Sequence, residues 1–251
     1  MKILVTGHKG FIGKNMVNAL KDEHAVSVYE WNENLPKIKE FDLVIHIGAI
    51  SSTVETNVEK VIEQNYDFSV RLYDMCRDYN VNFQFSSSAS IYGLKREFKE
   101  TSPVDPRTPY AWSKYMFERY VLNNLPADSF AQCFRYFNVY GPGESHKGTQ
   151  ASPFTQFEKQ AKELGYITVF ENSENYLRDF IHVNDIINIH KKFFGVKESG
   201  VWNAGTGKAM SFLQVAEQFN VPIKTIPMPE NLKQSYQEYT CADTTKIRRY
   251  L

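Results

Sequence analysis

The stretch VTGHKGFIG, residues 5–13, decides the fold that this sequence predicts. Gly7, Gly10 and Gly13 follow an apolar run and stand at the start of an amphipathic segment. Glycines at this spacing allow a tight turn from a strand into a helix, and they let backbone amides approach a pyrophosphate at the positive end of that helix. The same glycines could form a turn that binds nothing, but their position between a strand and a helix favours a dinucleotide site.

An acidic residue supports this interpretation. Glu30 ends the next apolar run, AVSVYE (25–30), and could accept hydrogen bonds from a ribose diol. A carboxylate here repels a 2′-phosphate, although Lys37 and Lys39 follow closely and could neutralise one. We therefore expect NAD or NADP as cofactor, with a preference for NAD. The expected contacts from this part of the chain are Gly7, Gly10, Phe11, Ile12, Gly13 and Glu30.

Strand and helix signals alternate along the rest of the chain, which is typical of βαβ units. Apolar runs such as FDLVIHIGA (41–49), NFQFSSS (82–88) and FAQCFRYFNV (130–139) suit strands covered on both faces. The sequence thus predicts an α/β fold with a doubly wound, mostly parallel sheet. Only WNENLPKIKE (31–40) separates the second and third strands, which is too short for a further strand and its crossover helix. We expect one edge strand to be missing and the second strand to become the edge.

Composition narrows the class of protein. The 29 basic and 29 acidic residues give a formal net charge of +0, so nucleic acid is not an expected partner. Cys76, Cys133 and Cys241 lack CxxC spacing and cannot all pair, which argues against a disulfide framework or a zinc site and favours a reducing cytoplasm. No apolar stretch approaches ~20 residues, so neither a signal peptide nor a membrane span is expected. The sequence is also compatible with a homo-oligomer.

The stretch TPYAWSKYMFERY (108–120) places Tyr110 and Lys114 on one face of a predicted helix. A neighbouring ammonium and a positively charged nicotinamide would favour the phenolate of a tyrosine, which could then take a proton from an alcohol as hydride leaves. The pattern alone is also common on solvated helices. The serine-rich run FSSSASIYG (85–93), on the same predicted edge of the sheet, offers hydroxyls for the substrate oxygen and favours the chemical interpretation.

These motifs, in this order, resemble those of the extended short-chain dehydrogenase/reductases, in the nucleotide-sugar epimerase branch. The resemblance rests on TGHKGFIG (6–13), HIGAISST (46–53), FSSSASIYG (85–93), PYAWSK (109–114), RYFNVYGPG (135–143), LRDFIHVNDI (177–186) and NAGTG (203–207). It implies a nucleotide-diphosphate sugar as substrate and a catalytic set of Ser88, Tyr110 and Lys114. Lys114 would also hold the nicotinamide ribose and so belong to the cofactor site.

The same resemblance implies a division of the chain. We expect residues 1–141 to form a Rossmann nucleotide-binding domain, to which residues 181–206 return. Residues 142–180 and 207–251 are expected to form a small substrate-binding lobe.

Within the branch, residues 135–152 and 170–186 resemble the heptose 6-epimerases. That resemblance makes Lys147 a second acid/base in a reaction that oxidises a side-chain carbinol to a ketone and returns the hydride to its other face. Lys147 could instead be a loop lysine that binds substrate phosphate or water.

The resemblance also extends to the expected substrate contacts, which are Ser88, Asn138, Lys147 and Arg178. Arg178 resembles an arginine that clamps a diphosphate, or it could pair with Asp179. We expect Asn138 to shape the site through hydrogen bonds, His146 and His182 to be structural, and no metal to be bound.

The motifs exclude some other activities of this branch and are compatible with others. Dehydratases of this branch carry Thr-Asp-Glu where this chain has Ser88-Ala89-Ser90, so the acid that expels water is missing. A 4-epimerase, a reductase or a catalytically silent cofactor-binding regulator would be compatible with the remaining motifs.

Overall fold

Six parallel strands form the central sheet. The structure, a computed structural model, describes residues 1–48, 50–230 and 237–251. The strands are β1 (Lys2–Thr6), β2 (Ala25–Tyr29), β3 (Leu43–His46), β4 (Asn82–Ser88), β5 (Ala131–Tyr136) and β9 (Gly200–Ala204). Their order across the sheet is β2-β1-β3-β4-β5-β9. Every residue of β3 and β5 is buried, as their continuous apolar runs predict. The predicted doubly wound sheet is confirmed.

Helices cover both faces of this sheet. One face packs α1 (Phe11–Leu20) and α6 (Val183–Phe193) against the odd-numbered side chains of β1. The other face packs α3 (Phe68–Asp78) and α4 (Pro109–Asn123) against Leu4 and the phenylalanines of β4. Since successive strand residues point to opposite faces, both sets become core.

The edge strand is β2, as the short connection after it predicts. Residues 30–42 contain a 3-10 turn, Ile38–Glu40, where a longer connection would add a strand. Trp31 packs edge-to-face on Phe68, with ring centroids 5.5 Å apart, and Phe68 stacks on Tyr29 at 5.4 Å. This shortened segment therefore covers the apolar face beside β2 with aromatic side chains.

The helical run predicted between the third and fourth strands is interrupted. It consists of α2 (Val58–Val61), a π-helical turn over Ile62–Asp67, and α3. The extra residue in such a turn changes which side chains face inward. Here it directs Asn65 into the core, where its exposed fraction is 1%.

Smaller sheets form the remaining layer. One has the order β10-β8-β6, from β6 (Asn138–Tyr140), β8 (Leu177–His182) and β10 (Ala209–Ser211). The other pairs β7 (Ile167–Phe170) with β11 (Ile223–Ile226), beside α5 (Pro153–Leu164) and α7 (Phe212–Glu217). The predicted strand over residues 130–139 is thus two strands, because the chain leaves the central sheet at Phe137 and pairs with β8. Across the described residues no helix is both long and apolar enough to span a bilayer.

Candidate active site

A cavity of about 370 Å³ opens at the carboxyl ends of the central strands. It is lined by every predicted site residue except Arg178, which lies on β8. The predicted residues that line it are Gly7, Gly10, Phe11, Ile12, Gly13, Glu30, Ser88, Tyr110, Lys114, Asn138 and Lys147. Ser51, Thr53 and Gln150 also contribute to its wall.

The glycine turn requires glycine for two physical reasons. Gly7 has φ +73°, and a Cβ atom there would lie 2.4 Å from the Cα atom of Gly48. A Cβ atom on Gly13 would lie 2.0 Å from the carbonyl oxygen of Gly7. Gly10 then begins α1 in an extended conformation, so the free amides of the first helical turn face the cavity rim. This cradle has the shape that a pyrophosphate needs.

Glu30 is fixed at the rim of the cavity by backbone amides. Its carboxylate accepts hydrogen bonds from the Lys9 amide at 3.1 Å and the Trp31 amide at 3.3 Å. The Lys9 side chain pairs with Glu33 at 2.8 Å. Lys9 was not among the predicted residues, yet its amide contacts Glu30; neither Lys9 nor the exposed Lys37 and Lys39 are among the residues that line the cavity.

Tyr110 and Lys114 lie in the first two turns of α4, where Thr108 caps the helix by accepting a hydrogen bond from the Ala111 amide. Lys114 is only 2% exposed, so the pair does not lie on a solvated helical face. Its Nζ atom donates to the Ser86 carbonyl at 2.8 Å and lies 5.8 Å from the centre of the Tyr110 ring.

Burial sets the protonation of this pair. Desolvation lowers the pKa of Lys114 to about 7, because the interior disfavours the ammonium form. Desolvation also raises the pKa of Tyr110, and its hydrogen bond with the Ser88 hydroxyl opposes that rise. Ser88, at the end of β4, lines the same cavity as Tyr110. Together these side chains can hold and deprotonate an alcohol.

Lys147 reaches the same cavity from a different element, the 3-10 turn Ser145–Gln150 after β6. Its ammonium lies 4.8 Å from the centre of the Phe11 ring, at the start of α1. Burial lowers the pKa of Lys147, while the nearby Glu144 carboxylate raises it. The cavity therefore contains a second titratable amine beside the Tyr110 and Lys114 pair.

The predicted substrate contacts on the smaller sheet have structural partners too. Asn138 donates from its side-chain amide to the Asp179 carbonyl at 3.1 Å and to the Thr240 hydroxyl at 3.3 Å. Arg178 is 8% exposed, and its guanidinium lies 5.5 Å from the centre of the Phe212 ring. The Asp179 carboxylate accepts hydrogen bonds from Thr206 and from the amides of Gly207 and Ala242.

The histidines named in the sequence make local contacts. His182 caps α6 by accepting a hydrogen bond from the Asn184 amide at 3.2 Å, and His146 contacts the Gly143 carbonyl at 3.0 Å. In the part of the chain that the structure describes, no cluster of three His, Cys, Asp or Glu side chains could hold a metal ion.

A buried polar network that the sequence did not predict supports Tyr110. The Asn65 side chain donates to the Ser113 hydroxyl at 3.1 Å, and that hydroxyl donates to the Tyr110 carbonyl at 2.7 Å. Asn65 also exchanges hydrogen bonds with the backbone of Ile50, on the loop after β3. The signal that would have revealed Asn65 is the π-helical turn, and hydrophobic periodicity does not show such a turn.

A buried ion pair lies beside the serine-rich end of β4. Arg135 and Glu118 are joined at 2.7 Å, with their side chains 5% and 1% exposed. Ser87 donates to the same carboxylate, and Arg135 also donates to the Tyr92 hydroxyl at 2.9 Å. Glu118 belongs to α4, Arg135 to β5 and Ser87 to β4, so these buried contacts join the three elements to one another.

The fold and this site define a dinucleotide-binding enzyme of the short-chain dehydrogenase/reductase type. The model of the NAD dependent epimerase/dehydratase family matches residues 3–205, and the chain belongs to that family. The resemblance is thereby confirmed, and of the two cofactors expected from the sequence, NAD or NADP, the family is described as dependent on the favoured one, NAD.

Similar proteins point to a narrower group. The chain is 35% identical to an ADP-L-glycero-D-manno-heptose-6-epimerase from Brachyspira hyodysenteriae, over 98% of this chain and 90% of that protein. The crystal structure of the Helicobacter pylori ADP-L-glycero-D-manno-heptose-6-epimerase matches with a TM-score of 0.87 and 25% identity, over 99% and 89% of the two chains. A Thermus thermophilus UDP-glucose 4-epimerase in complex with NAD matches with a TM-score of 0.80 and 26% identity, over 99% and 92%.

Proposed function

We propose that the protein is an NAD-dependent epimerase of a nucleotide-diphosphate sugar, similar to ADP-glycero-manno-heptose 6-epimerase. The observation that carries this proposal is Lys147, which lines the same cavity as Ser88, Tyr110 and Lys114. Inversion of a side-chain carbinol without release of the ketone requires an acid/base for each face. Tyr110 on α4 and Lys147 on the loop after β6 would supply them, and the 35% identical heptose epimerase supports the same substrate class.

In this mechanism Tyr110 removes the hydroxyl proton while Ser88 hydrogen-bonds the substrate oxygen. A nicotinamide dinucleotide held by Gly7, Gly10, Gly13 and Glu30 would supply the hydride chemistry: it would take up the hydride from the carbinol carbon and give it back to the opposite face of the ketone. Lys147 then donates a proton to the carbonyl oxygen, so the product is the epimer and the cofactor is regenerated. General acid/base groups of this kind contribute about 10²–10⁴-fold to rate.

The Tyr110 phenolate needs electrostatic support, because desolvation raises its pKa. The Lys114 ammonium supplies it, since Lys114 lies 5.8 Å from the Tyr110 ring and titrates at a pKa of about 7. The reaction direction that uses Tyr110 as base should therefore depend on the protonation of Lys114 near neutral pH.

For the nucleotide end of the substrate we propose a second cavity, of about 350 Å³. Its lining is mostly apolar and includes Phe157, Val169 and Tyr176, which suits a planar base. Phe212 lines this cavity, and the Arg178 guanidinium lies 5.5 Å from the centre of its ring, so we propose that a base bound there brings the diphosphate near Arg178. We assign residues 142–180 and 207–251 to this substrate-binding role.

We also propose that the protein works in a reducing cytoplasm. Cys76 and Cys133 are buried free thiols, and burial raises the pKa of both, which keeps them unreactive. Thiol titration of protein isolated from its cells under alkylating conditions should find all three cysteines reduced.

The function is tested by turnover of a panel of sugar nucleotides. We expect inversion at carbon 6 of an ADP-glycero-manno-heptose, followed by nuclear magnetic resonance, and no turnover of UDP-hexoses. A protein that epimerises a UDP-hexose at carbon 4 and leaves the heptose unchanged would contradict the proposal.

The roles of the two bases are tested separately. Tyr110→Phe should stop the reduction of bound NAD by one heptose epimer, and Lys147→Met should stop its reduction by the other, each by about 10²–10⁴-fold. Both variants should still bind NAD. Lys159→Met, which replaces an exposed lysine on α5, is the matched control and should react with both epimers. Wild-type epimerisation by Lys147→Met would show that Lys147 is an ordinary loop lysine.

A further inference from the structure

We propose that Glu144 is the positioning residue for Lys147: its buried carboxylate closes the loop that carries the amine into the active-site cavity. This inference rests on the acid/base role of Lys147 in the proposed function. Glu144 is 1% exposed, although a carboxylate at a loop position would ordinarily face water.

The Glu144 carboxylate binds both ends of its loop. Oε1 accepts hydrogen bonds from the Gly141 amide at 2.9 Å, the Ser152 hydroxyl at 2.8 Å and the Thr155 hydroxyl at 3.3 Å. Oε2 accepts one from the Ser152 amide at 2.7 Å. Gly141 follows β6, and Ser152 caps α5, so one side chain joins the strand that leads into the loop to the helix that leads out.

The loop needs such an anchor because its glycine-rich backbone can adopt many conformations. Gly141, Gly143 and Gly148 all have positive φ values, of 144°, 96° and 55°. Glycines lose more conformational entropy on ordering than other residues, so a loop containing three of them is held only if other contacts offset that loss. The carboxylate accepts four hydrogen bonds for this purpose, and its charge makes them stronger than bonds between neutral groups.

The position of the anchor explains how a buried charge is tolerated. Three of its donors belong to the first turn of α5 or its cap, where the helix dipole favours an anion. Glu144 is not among the residues that line the active-site cavity, so we infer that its carboxylate acts through the loop and not on the reacting atoms.

Lys147 is tied directly to this anchor. Its amide donates to the Glu144 carbonyl at 2.8 Å, which fixes the backbone that sends its side chain over the Phe11 ring. The carboxylate also favours the ammonium form of Lys147 against burial. A displacement of about 1 Å at a catalytic group can cost on the order of 10²-fold in rate.

The test compares the two hydride transfers, because a merely structural residue would affect both. In Glu144→Gln the carboxamide presents N–H groups to donors that need an acceptor, so the loop loses its closure. Rapid mixing with each heptose epimer then measures reduction of bound NAD. We expect the transfer that uses Lys147 as base to slow by about 10²-fold, while the transfer that uses Tyr110 and the affinity for NAD change less than about twofold.

Control variants separate loop closure from general damage. Glu158→Gln, on the exposed face of α5, is the matched control and should leave both transfers unchanged. Thr155→Val removes only the 3.3 Å contact and should slow the Lys147-dependent transfer by about two- to fivefold even if Glu144→Gln does not fold. The proposal would be overturned if Glu144→Gln or Thr155→Val slowed both hydride transfers to the same extent, or if these variants slowed neither transfer.

Failure of this inference can be told from failure of the proposed function. Lys147→Met should lose the hydride transfer that uses Lys147 as base. The double variant with Lys147→Met and Glu144→Gln should show no further loss of that transfer. If Lys147→Met loses the hydride transfer that uses Lys147 as base, while Glu144→Gln and Thr155→Val retain that transfer, only the proposed role of Glu144 is wrong. If Lys147→Met keeps both transfers, the proposed function is wrong, and Glu144 has no catalytic amine to position.

Discussion

Replacing Lys114 with methionine should destroy activity and yet stabilise the cofactor-free protein at low pH. Lys114 has an ordinary pKa of 10.5 and a pKa of about 7 in the folded protein, because burial disfavours its ammonium form. At about 1.4 kcal/mol for each pKa unit, the folded state below pH 7 bears a penalty of about 5 kcal/mol from this one charge. Methionine has a similar length and no charge, so the variant avoids that penalty.

The gain is partly offset by lost contacts. Lys114 donates to the Ser86 carbonyl at 2.8 Å and lies 4.5 Å from the centre of the Phe85 ring. An unsatisfied buried carbonyl costs about 1–3 kcal/mol, and the lost cation–π contact costs about 1 kcal/mol. We therefore expect Lys114→Met to raise the free energy of unfolding by about 2 kcal/mol at about pH 6.

The pH dependence is the sharper part of this prediction. Between about pH 7 and the ordinary pKa of 10.5, the unfolded chain binds a proton at Lys114 that the folded chain has released, so wild-type stability rises with pH. The variant lacks this titration, and its advantage should fall by about 3 kcal/mol between about pH 6 and pH 9, where its sign reverses.

Urea unfolding of both proteins without cofactor, followed by circular dichroism across this pH range, measures the difference. Lys14→Met, at an exposed position of α1, is the matched control for the replacement of a lysine by methionine. A stability difference between wild type and Lys114→Met that stays constant from about pH 6 to pH 9 would refute the assignment of Lys114 as a buried, titrating amine.

The remaining predictions concern the cofactor rim and the buried ion pair. Glu30→Ala should lower the ratio of NAD to NADP affinity in calorimetry, because it removes an acceptor for the ribose diol and a charge that repels a 2′-phosphate; an unchanged ratio would mean that Glu30 does not face the ribose. Glu118→Gln should lower the free energy of unfolding by about 3–5 kcal/mol, because it leaves Arg135 buried without its carboxylate. Chemical denaturation measures this change, and a loss below about 1 kcal/mol would contradict the structural role of the pair.

The start of the chain could be predicted closely because several local signals agree there. The spacing of Gly7, Gly10 and Gly13 fixes a strand, a turn and a helix at once, and the structure places all three where expected. The strand over residues 82–88 has the predicted bounds, since its apolar and small residues are followed directly by a turn. The missing edge strand followed from length alone, because ten residues cannot hold a crossover.

Elements defined by distant partners could not be predicted in this way. The strand Leu177–His182 contains the charged pair Arg178 and Asp179, which does not resemble a buried strand in sequence. Asp179 is tolerated there because amides from Gly207 and Ala242 reach its carboxylate, and neither is visible from the local pattern. Glu144 likewise looks like a solvated loop residue until its partners on β6 and α5 are known.

The shortened edge of the sheet and the chemistry of the site are physically separate. Tyr110, Lys114 and Ser88 come from α4 and the end of β4, which lies on the opposite side of β1 and β3 from the β2 edge. Glu30 is the lining residue that follows β2, and its carboxylate is held by the Lys9 and Trp31 amides whether or not another strand lies beyond it. We therefore expect the loss of an edge strand to remove cofactor contacts only at the Glu30 end of the cavity, where the ribose diol is expected. A weaker cofactor affinity with an unchanged rate of hydride transfer is therefore the outcome that this geometry favours, since the groups that handle the proton are anchored in the middle of the sheet.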